Sequence, residues 1–238
     1  MIIIPARLAS TRFPKKILAH IHGVPMVIAT AKRVKNIDRV VIAADSDEVV
    51  QLAHNYGFEA ILTSDKHQSG TDRIHEAALK LELPEEEIII NVQADEPFIE
   101  ESVIKSVIQR AQNTQAMITS ACKKITPSQA KDPNLVKVIL DVHHDAIYFS
   151  RSILPYDREG GFGGYFGHLG IYAFRKKMLE QFCKLPYAPL EHIEKLEQLR
   201  ALYHGQKIAM VEVNTQSFGI DTPEDLEKAL AFFKPEEQ

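Results

Sequence analysis

The sequence has few of the features that mark secreted, zinc-binding or membrane proteins. Its only cysteines are Cys122 and Cys183, among 238 residues. Two thiols without metal-ligand spacing predict neither a disulfide framework nor a zinc site, so we expect both to be reduced and packed in a cytoplasmic protein. No apolar run approaches the roughly 20 residues of a membrane span, and no basic and apolar leader precedes Ile2. We therefore expect no membrane segment and no signal peptide.

An excess of positive charge is also missing. The chain carries 28 Lys and Arg against 32 Asp and Glu, which gives a formal net charge of -4. This balance disfavours general nucleic-acid binding, although a local basic cluster can still hold an anionic ligand. Hydrophobic residues make up 45% of the chain and charged residues 25%, which is typical of a globular protein with a sizeable core.

Short apolar runs that alternate with amphipathic segments predict an α/β fold with a parallel sheet. The strands predicted in the first half are 2–4, 39–43, 59–62, 88–92 and 117–122, and the helices between them are 25–35, 46–56, 71–83 and 100–113. Beyond these, we predict a hairpin at 136–149, a strand at 166–174, a long helix at 190–203, a strand at 208–213 and a last helix from Pro223. We expect one domain over 1–238, with a β-rich insertion at 126–186.

The loop after the first strand is basic and lacks glycine. Its cations are Arg7, Arg12, Lys15 and Lys16, and its hydroxyls are Ser10 and Thr11. The absence of a Gly-x-Gly-x-x-Gly turn argues against a nicotinamide dehydrogenase. Ligands of open parallel sheets bind beyond the carboxyl ends of the strands, where arginine forks and a lysine can grip a triphosphate. The alternative is a solvated basic turn.

Two aspartates follow predicted strands. Asp95 comes after the apolar run Ile88–Ile90, and Asp221 lies in the segment 219–223 after the last strand. If the two strand ends converge, these carboxylates can share one Mg²⁺ with substrate phosphates. The alternatives are a turn residue for Asp95 and an ordinary helix cap for Asp221.

Seven segments resemble, in order, the cytidylyltransferases that activate 3-deoxy-D-manno-octulosonate (KDO). They are residues 4–16, 69–73, 91–97, 148–151, 168–172, 190–200 and 219–226, so the resemblance spans nearly the whole chain. Lys15 and Ala94 stand where that family usually has glycine. Both departures affect loop geometry and remove no functional side chain.

The resemblance implies a Rossmann-like, three-layer nucleotidyltransferase with a mostly parallel sheet, and a homodimer built from the β-rich insertion. It implies transfer of CMP from CTP to the anomeric hydroxyl of KDO, which releases pyrophosphate and gives CMP-KDO for lipopolysaccharide synthesis. The catalytic residues that it implies are Lys16, Asp95 and Arg12, with Asp95 and Asp221 as Mg²⁺ ligands. The nucleotide-binding residues are Arg7, Ser10, Arg12, Lys16, Ser69, Arg73 and Gln93. The sugar-binding residues are Arg73, Gln93, Arg151, His168, Tyr172, Glu197 and Gln198.

Simpler interpretations and rival functions stay open. His168 can be a satisfied core histidine, Glu197 and Arg200 can form a surface ion pair, and Arg151 can merely close the hairpin. The rival functions are activation of sialic acid or another sugar, and binding of a nucleotide without turnover. The pair of Asp95 and Asp221 disfavours mere binding, because simple binding needs no metal there.

Overall fold

The structure, a computed structural model, describes residues 1–10 and 13–233. The chain forms two compact units. Unit 1 consists of residues 1–102 together with the C-terminal segment from residue 216, and unit 2 consists of residues 103–215. The expectation of one domain with an insertion at 126–186 stays a prediction.

The order of the elements confirms the predicted α/β class. In chain order, the first elements are β1 (Ile2–Ala6), a 3₁₀ turn (Lys16–Leu18), β2 (His20–Ile21), β3 (Val24–Pro25), α1 (Met26–Val34), β4 (Val40–Ala44), α2 (Asp47–Asn55), β5 (Glu59–Leu62), α3 (Gly70–Lys80), β6 (Ile88–Asn91) and α4 (Glu101–Gln112). They are followed by β7 (Ile118–Ile125), a second 3₁₀ turn (Gln129–Lys131), β8 (Lys137–Leu140), β9 (Ala146–Ser150), β10 (Tyr165–Arg175), α5 (Lys176–Lys184), α6 (Pro189–Glu194), α7 (Leu199–Tyr203), β11 (Ile208–Glu212) and α8 (Pro223–Phe232). Among the described helices, none combines the length and the apolar character needed to cross a bilayer.

Unit 1 is built on a parallel sheet with the strand order β6-β1-β4-β5. Ile2, Ile3 and Ile4 of β1 and Ile42 of β4 are fully buried. Continuous burial of this kind is typical of parallel strands that are covered on both faces. The carboxyl ends of these strands therefore meet at one edge of the sheet, where their following loops form a common surface.

Strand β1 continues through Pro5, whereas the sequence predicted its end at Ile4. The N–H of Ile2 donates to the carbonyl of Arg39, 2.9 Å away, on the β4 side. Backbone groups alternate along a strand, so the nitrogen of Pro5 faces the β6 side. Because β1 pairs with β6 at Ile2 and Ile3, the missing N–H of Pro5 falls beyond that ladder and breaks no hydrogen bond.

The helix caps of unit 1 follow the sequence closely. Ser46 Oγ accepts a hydrogen bond from Val49 N at the start of α2, and Thr222 Oγ1 accepts one from Asp225 N at the start of α8. Each hydroxyl satisfies a backbone N–H that has no partner inside the helix. Both predicted helix starts are thereby confirmed, and α8 packs through the buried Ala229 into an apolar cluster of unit 1.

Unit 2 combines parallel and antiparallel strand pairs. β7 pairs with β11 in parallel, but β10 runs antiparallel to both β7 and β8, and β8 and β9 form the predicted hairpin. The register of β10 against β7 shifts between Leu169 and Tyr172. A bulge of this kind changes where the side chains beside it point. Cys122 lies buried on β7, where burial raises the pKa of its thiol to about 12.

The predicted helix at 190–203 is wrong as a single element, because the structure divides it into α6 and α7. Lys195 has φ 54°, a left-handed conformation that ends α6. That conformation usually selects glycine or asparagine, so the sequence carries no signal for the break. Helix α5 is also missing from the prediction. It follows β10 directly, without an intervening turn residue.

Candidate active site

A cleft in unit 1 lies at the carboxyl ends of its parallel strands and brings eight of the predicted site residues together. Its volume is about 280 Å³, near the lower end of the range for small-molecule sites. The predicted residues that line it are Arg7, Ser10, Lys16, Ser69, Arg73, Gln93, Asp95 and Asp221. Arg12, the remaining predicted residue of the basic loop, lies outside the described residues.

Lys16 joins the two predicted metal ligands at the centre of the cleft. Its Nζ lies 2.5 Å from Asp95 Oδ2 and 2.9 Å from Asp221 Oδ1. Burial alone would lower the pKa of Lys16, but the charges and hydrogen bonds of the two carboxylates outweigh it and leave the pKa raised. The ammonium is therefore a fixed positive charge between two negative ones.

The backbone explains why Asp221 reaches Asp95. The N–H of Ile220 donates to the carbonyl of Asp95 at 2.9 Å, which ties the C-terminal segment to the loop after β6. The cap of α8 is made by Thr222 and Asp225. The carboxylate of Asp221 faces Lys16 instead, so helix capping does not account for this residue.

The two departures from the family pattern have different consequences. Lys15 has φ 52° and ψ 31°, in the left-handed region that favours glycine, which accounts for the glycine that the family usually has there. The 3₁₀ turn that follows places Lys16, with Lys16 N donating to Phe13 O at 3.0 Å. Ala94, in contrast, is not among the described residues with positive φ, so its methyl group fits without strain.

Arg73 is a buried cation in the wall of the cleft. Its Nη1 donates to Thr63 Oγ1 at 2.6 Å and to the carbonyl of Ser64 at 3.1 Å, and only 1% of the residue is exposed. Burial lowers the pKa of Arg73 despite the nearby Asp45, and the positive charge of Arg7 lowers it further. Its Nη2 has no hydrogen-bond partner in the described part of the chain. Two neighbouring guanidinium groups thus favour an anionic ligand.

Asp45 contacts the wall of the cleft but was not predicted from the sequence. It follows β4 directly. Its Oδ1 accepts a hydrogen bond from Leu8 N at 3.1 Å, and its Oδ2 lies 3.8 Å from Arg73 Nη2. Asp45 therefore fixes the basic loop and the buried guanidinium at once. The signal that could have found it is its position at a strand end.

The start of α3 forms another part of the cleft. Ser69 Oγ accepts from Asp72 N at 3.0 Å and caps the helix, whose positive end therefore opens at the cleft. A Cβ on Gly70 would lie 3.2 Å from Pro5 Cγ and 3.6 Å from Gln93 Oε1. Glycine is thus what lets the helix approach β1 and Gln93 this closely.

The carboxylates of the cleft are suitable for a hard divalent cation. Asp95 and Asp221 already converge on one positive charge, the ammonium of Lys16, and both carry the oxygen ligands that Mg²⁺ prefers. The described residues hold no group of three or more His, Cys, Asp or Glu side chains placed to bind a metal. Two carboxylates that leave other coordination positions to substrate phosphates and water fit Mg²⁺ better than a metal held by protein ligands alone.

In unit 2, four polar side chains form one directional chain of hydrogen bonds. Ser120 Oγ donates to the carbonyl of Ile171 at 2.8 Å, so it accepts from His168 Nε2, which lies 2.8 Å away. His168 Nδ1 then accepts from Gln198 Nε2 at 3.4 Å, and Gln198 Oε1 accepts from the hydroxyl of Tyr172 at 3.4 Å. Of the sugar-binding residues implied by the resemblance, His168, Gln198 and Tyr172 are therefore linked.

The groups in this chain stay neutral. Burial lowers the pKa of His168 to about 3, and burial together with the charge of Glu197 raises the pKa of Tyr172. Both ring nitrogens of His168 are engaged by Ser120 and Gln198. The imidazole is thus suited to orienting Gln198 and Tyr172. Ser120 was not predicted from the sequence, because a serine in an apolar strand has no distinguishing pattern.

Arg151 has other partners in unit 2. Its Nε donates to the carbonyl of Glu194 at 2.8 Å and its Nη1 to the carbonyl of Pro133 at 3.0 Å. The carboxylate of Glu194 accepts from Ser150 Oγ and Arg151 N, and the buried Lys137 donates to the carbonyl of Arg151 at 2.6 Å. These contacts hold the end of β9 in place.

The interpretation of Glu197 and Arg200 as a surface ion pair is wrong. The side chain of Arg200 is only 2% exposed, and its Nη2 lies 2.6 Å from Glu191 and 3.8 Å from Glu197. The guanidinium also lies over the rings of Tyr187 and Phe182, 4.4 and 4.9 Å from their centroids. Arg200 therefore ties α7 to α6 in the interior of unit 2.

Comparisons with known proteins identify the family of the chain. Residues 1–208 match the sequence model of the cytidylyltransferase family. A 3-deoxy-manno-octulosonate cytidylyltransferase from a Nitratiruptor species is 60% identical over 98% of this chain and 99% of its own. A protein of the same name from Wolinella succinogenes is 55% identical, with 98% and 99% covered. The solved structure of CMP:2-keto-3-deoxy-manno-octonic acid synthetase complexed with CTP is 37% identical, with a TM-score of 0.92 over 97% of this chain and 96% of that one.

The chain belongs to the cytidylyltransferase family. The predicted α/β nucleotidyltransferase fold is confirmed by the match to the solved structure. The chain is accordingly a nucleotidyltransferase.

Proposed function

We propose that this enzyme transfers CMP from CTP to the anomeric hydroxyl of KDO, releasing pyrophosphate and giving CMP-KDO, a precursor for lipopolysaccharide. The observation that carries the proposal is the meeting of Lys16, Asp95 and Asp221 in a cleft that also contains Arg7 and Arg73. Basic groups suitable for phosphates and carboxylates suitable for a divalent ion lie within one polar cleft. Relatives that share 55–60% of the sequence are named for this reaction.

The cationic side of the cleft suits the triphosphate. Arg7, Ser10 and Lys16 follow β1, and Ser69 lies at the positive end of α3. Guanidinium forks and backbone N–H groups bind phosphate oxygens directly. We include Arg12 in this set from the family motif alone.

The reaction needs little covalent help from the protein. The anomeric hydroxyl of KDO gives up its proton to solvent as its oxygen forms a bond to the α-phosphorus of CTP. The bond from that phosphorus to the bridging oxygen breaks, and pyrophosphate leaves. Positioning and charge stabilisation carry most of the catalysis in transfers of this kind. Lys16 is placed to balance negative charge on the phosphates, and Gln93, held by Asn91 at 3.2 Å, is placed to orient a reacting group.

Asp95 and Asp221 would hold the magnesium ion. When bound, the ion supplies charge neutralisation at the α-phosphate and at the departing pyrophosphate. The fit of the carboxylate pair to a hard cation supports this role. The fixed backbone link between Ile220 and Asp95 supports it further, because it keeps the two carboxylates at one point.

The sugar acid needs one anion partner and several directional polar groups. We assign its carboxylate to arginine, with Arg73 as a candidate because its Nη2 is buried without a hydrogen-bond partner among the described residues. We assign hydroxyl recognition to Tyr172, Gln198 and Glu197, with His168 orienting Gln198. Arg151 stays a proposed sugar-binding residue from the family motif.

We also propose that the enzyme is a cytoplasmic homodimer. The exposed apolar side chains Ile147, Ile153 and Tyr156 all lie in the segment 126–186 and are suitable for an interface between two copies. Cys122 and Cys183 form no disulfide, which supports a reducing compartment. Light scattering on the purified protein tests the dimer, and a monomeric mass would contradict it.

One assay tests the proposed reaction. Pyrophosphate release is measured with each of the four common ribonucleoside triphosphates, with KDO, with sialic acid and with neither sugar, in the presence and absence of Mg²⁺. We expect release only with CTP, KDO and Mg²⁺ together. Release with sialic acid in place of KDO would show a different sugar activation, and binding of CTP without release under any condition would show a nucleotide-binding protein.

A further inference from the structure

Lys16 lies where the proposed metal ion would have to bind. Its Nζ contacts Asp95 Oδ2 at 2.5 Å and Asp221 Oδ1 at 2.9 Å, and its side chain is only 11% exposed. We propose that Lys16 is an internal cation that closes the carboxylate pair in the nucleotide-free enzyme and leaves it when the metal and the nucleotide enter together. This inference rests on the proposed function, because it takes Asp95 and Asp221 as the magnesium ligands.

Charge repulsion prevents the Lys16 ammonium and a metal ion from binding the carboxylate pair together. Two carboxylates held at one point repel each other, and a cation between them removes that cost. An ammonium and a divalent ion at the same point would repel each other more strongly than two single charges do. The carboxylate pair therefore accepts either the Lys16 ammonium or the metal, and a free metal ion must displace two charge-assisted contacts before it binds.

The nucleotide offers the displaced ammonium an anionic partner. The same cleft is lined by the cations Arg7 and Arg73, so without a triphosphate an expelled Lys16 would face positive charge. With a triphosphate in place, phosphate oxygens offer the ammonium equivalent contacts. The cleft should therefore bind free metal weakly and bind metal that arrives with the nucleotide more tightly.

The exchange needs only side-chain motion. The backbone of Lys16 is held by the bond from Lys16 N to Phe13 O at 3.0 Å and by the bond from Ala19 N to Lys16 O at 3.0 Å. The four-carbon stem of a lysine can move its ammonium by several ångströms about such a fixed backbone. The loop therefore keeps its shape while Nζ changes partners.

Titration of Mn²⁺ into nucleotide-free enzyme, followed by electron paramagnetic resonance of the unbound ion, tests the proposal. The variants are Lys16→Met, which removes the charge, Lys16→Arg, which keeps it, and Lys15→Met, which removes the charge of the exposed neighbour. We expect Lys16→Met to bind Mn²⁺ about tenfold more tightly than the unaltered enzyme, because no ammonium competes for the carboxylates. Lys16→Arg and Lys15→Met should bind it as weakly as the unaltered enzyme does.

Equal Mn²⁺ affinity in Lys16→Met and the unaltered enzyme would overturn the proposal. Circular dichroism checks that the variant is folded, and Lys16→Gln serves in its place if it is not. The same titration with CTP present, comparing the unaltered enzyme with Asp95→Asn, separates this inference from the proposed function. If Asp95→Asn leaves the Mn²⁺ affinity of the CTP complex unchanged, the assignment of the metal ligands fails. If Asp95→Asn weakens the Mn²⁺ affinity of the CTP complex, the metal ligands stand. If Lys16→Met then matches the unaltered enzyme in the titration without nucleotide, only the role of Lys16 fails.

Discussion

The cleft of unit 1 and the hydrogen-bond chain of unit 2 stabilise polar side chains in opposite ways. In the cleft, full charges of opposite sign meet, as Lys16 does with Asp95 and Asp221, and the side chain of Asp221 is 47% exposed. In the chain, neutral groups from Ser120 to Tyr172 are hydrogen-bonded end to end.

This difference sets how each site responds to a ligand or a mutation. A charged group can exchange one partner of opposite sign for another, so the cleft is suited to taking up phosphates and a metal ion. A neutral chain is directional, and the loss of one acceptor leaves a buried donor unsatisfied. We therefore expect changes in the cleft to act mainly on turnover and changes in the chain to act mainly on stability and sugar binding.

The largest expected effect is that of Asp95→Asn on turnover. The change removes one negative charge from the proposed metal site and weakens its contact with Lys16, so kcat for pyrophosphate release should fall by at least about 100-fold. Asp47→Asn, which alters an exposed carboxylate at the start of α2, is the control and should leave kcat unchanged. Near-normal turnover in Asp95→Asn would remove this residue from the reacting centre.

The second effect concerns Ser120 in unit 2. Ser120→Ala removes the acceptor of the proton on His168 Nε2, so the free energy of unfolding should fall by about 1–3 kcal/mol in chemical denaturation. If the chain also orients Tyr172 and Gln198 toward the sugar acid, KM for KDO should rise while KM for CTP stays constant. Ser120→Thr keeps the hydroxyl and should restore much of the loss. A stable Ser120→Ala enzyme with an unaltered KM for KDO would contradict both roles.

The smallest effect is the pH dependence that His168 gives to unit 2. Its pKa is about 3 in the folded protein and near 6.5 in an unfolded chain, so below pH 6.5 the unfolded state binds a proton that the folded state does not. Stability is therefore lost as the pH falls from about 6.5 toward 3, by roughly 1 kcal/mol between pH 7 and pH 5.5.

Thermal unfolding of His168→Gln over this range measures the contribution. The variant should lose less stability on acidification than the unaltered protein does, whereas His143→Gln, at an exposed hairpin position, should behave like the unaltered protein. Parallel pH profiles for all three proteins would show that His168 does not carry a depressed pKa.

The contrast also separates what the sequence predicts from what it does not. The sequence placed Lys16, Asp95 and Asp221 in one candidate site because ligands of parallel sheets bind beyond the carboxyl ends of the strands. It gave their convergence only as a condition, because Lys16 and Asp221 lie well beyond the ends of β1 and β11. The alternation of strands and helices in unit 1 was predictable from the spacing of apolar residues, which differs between the two kinds of element.

The hydrogen-bond chain was not predictable, because its order depends on contacts that are distant in sequence. Ser120 and His168 are 48 positions apart, and nothing in either local pattern indicates which ring nitrogen carries the proton. The break between α6 and α7 was missed because Lys195 adopts a left-handed conformation without the usual glycine. Asp45 was missed because its position at a strand end was also suitable for a helix cap.

The bond from Ile220 N to the carbonyl of Asp95 has a consequence for synthesis of the chain. Unit 1 contains its whole parallel sheet within the first 102 residues, yet one carboxylate of its cleft comes from the segment after residue 215. While the ribosome is still making unit 2, the emerging sheet has Lys16 and Asp95 but no Asp221. Asp221 therefore reaches the cleft only after unit 2 has been synthesised, so a nascent chain that ends within unit 2 lacks one of the two proposed metal ligands.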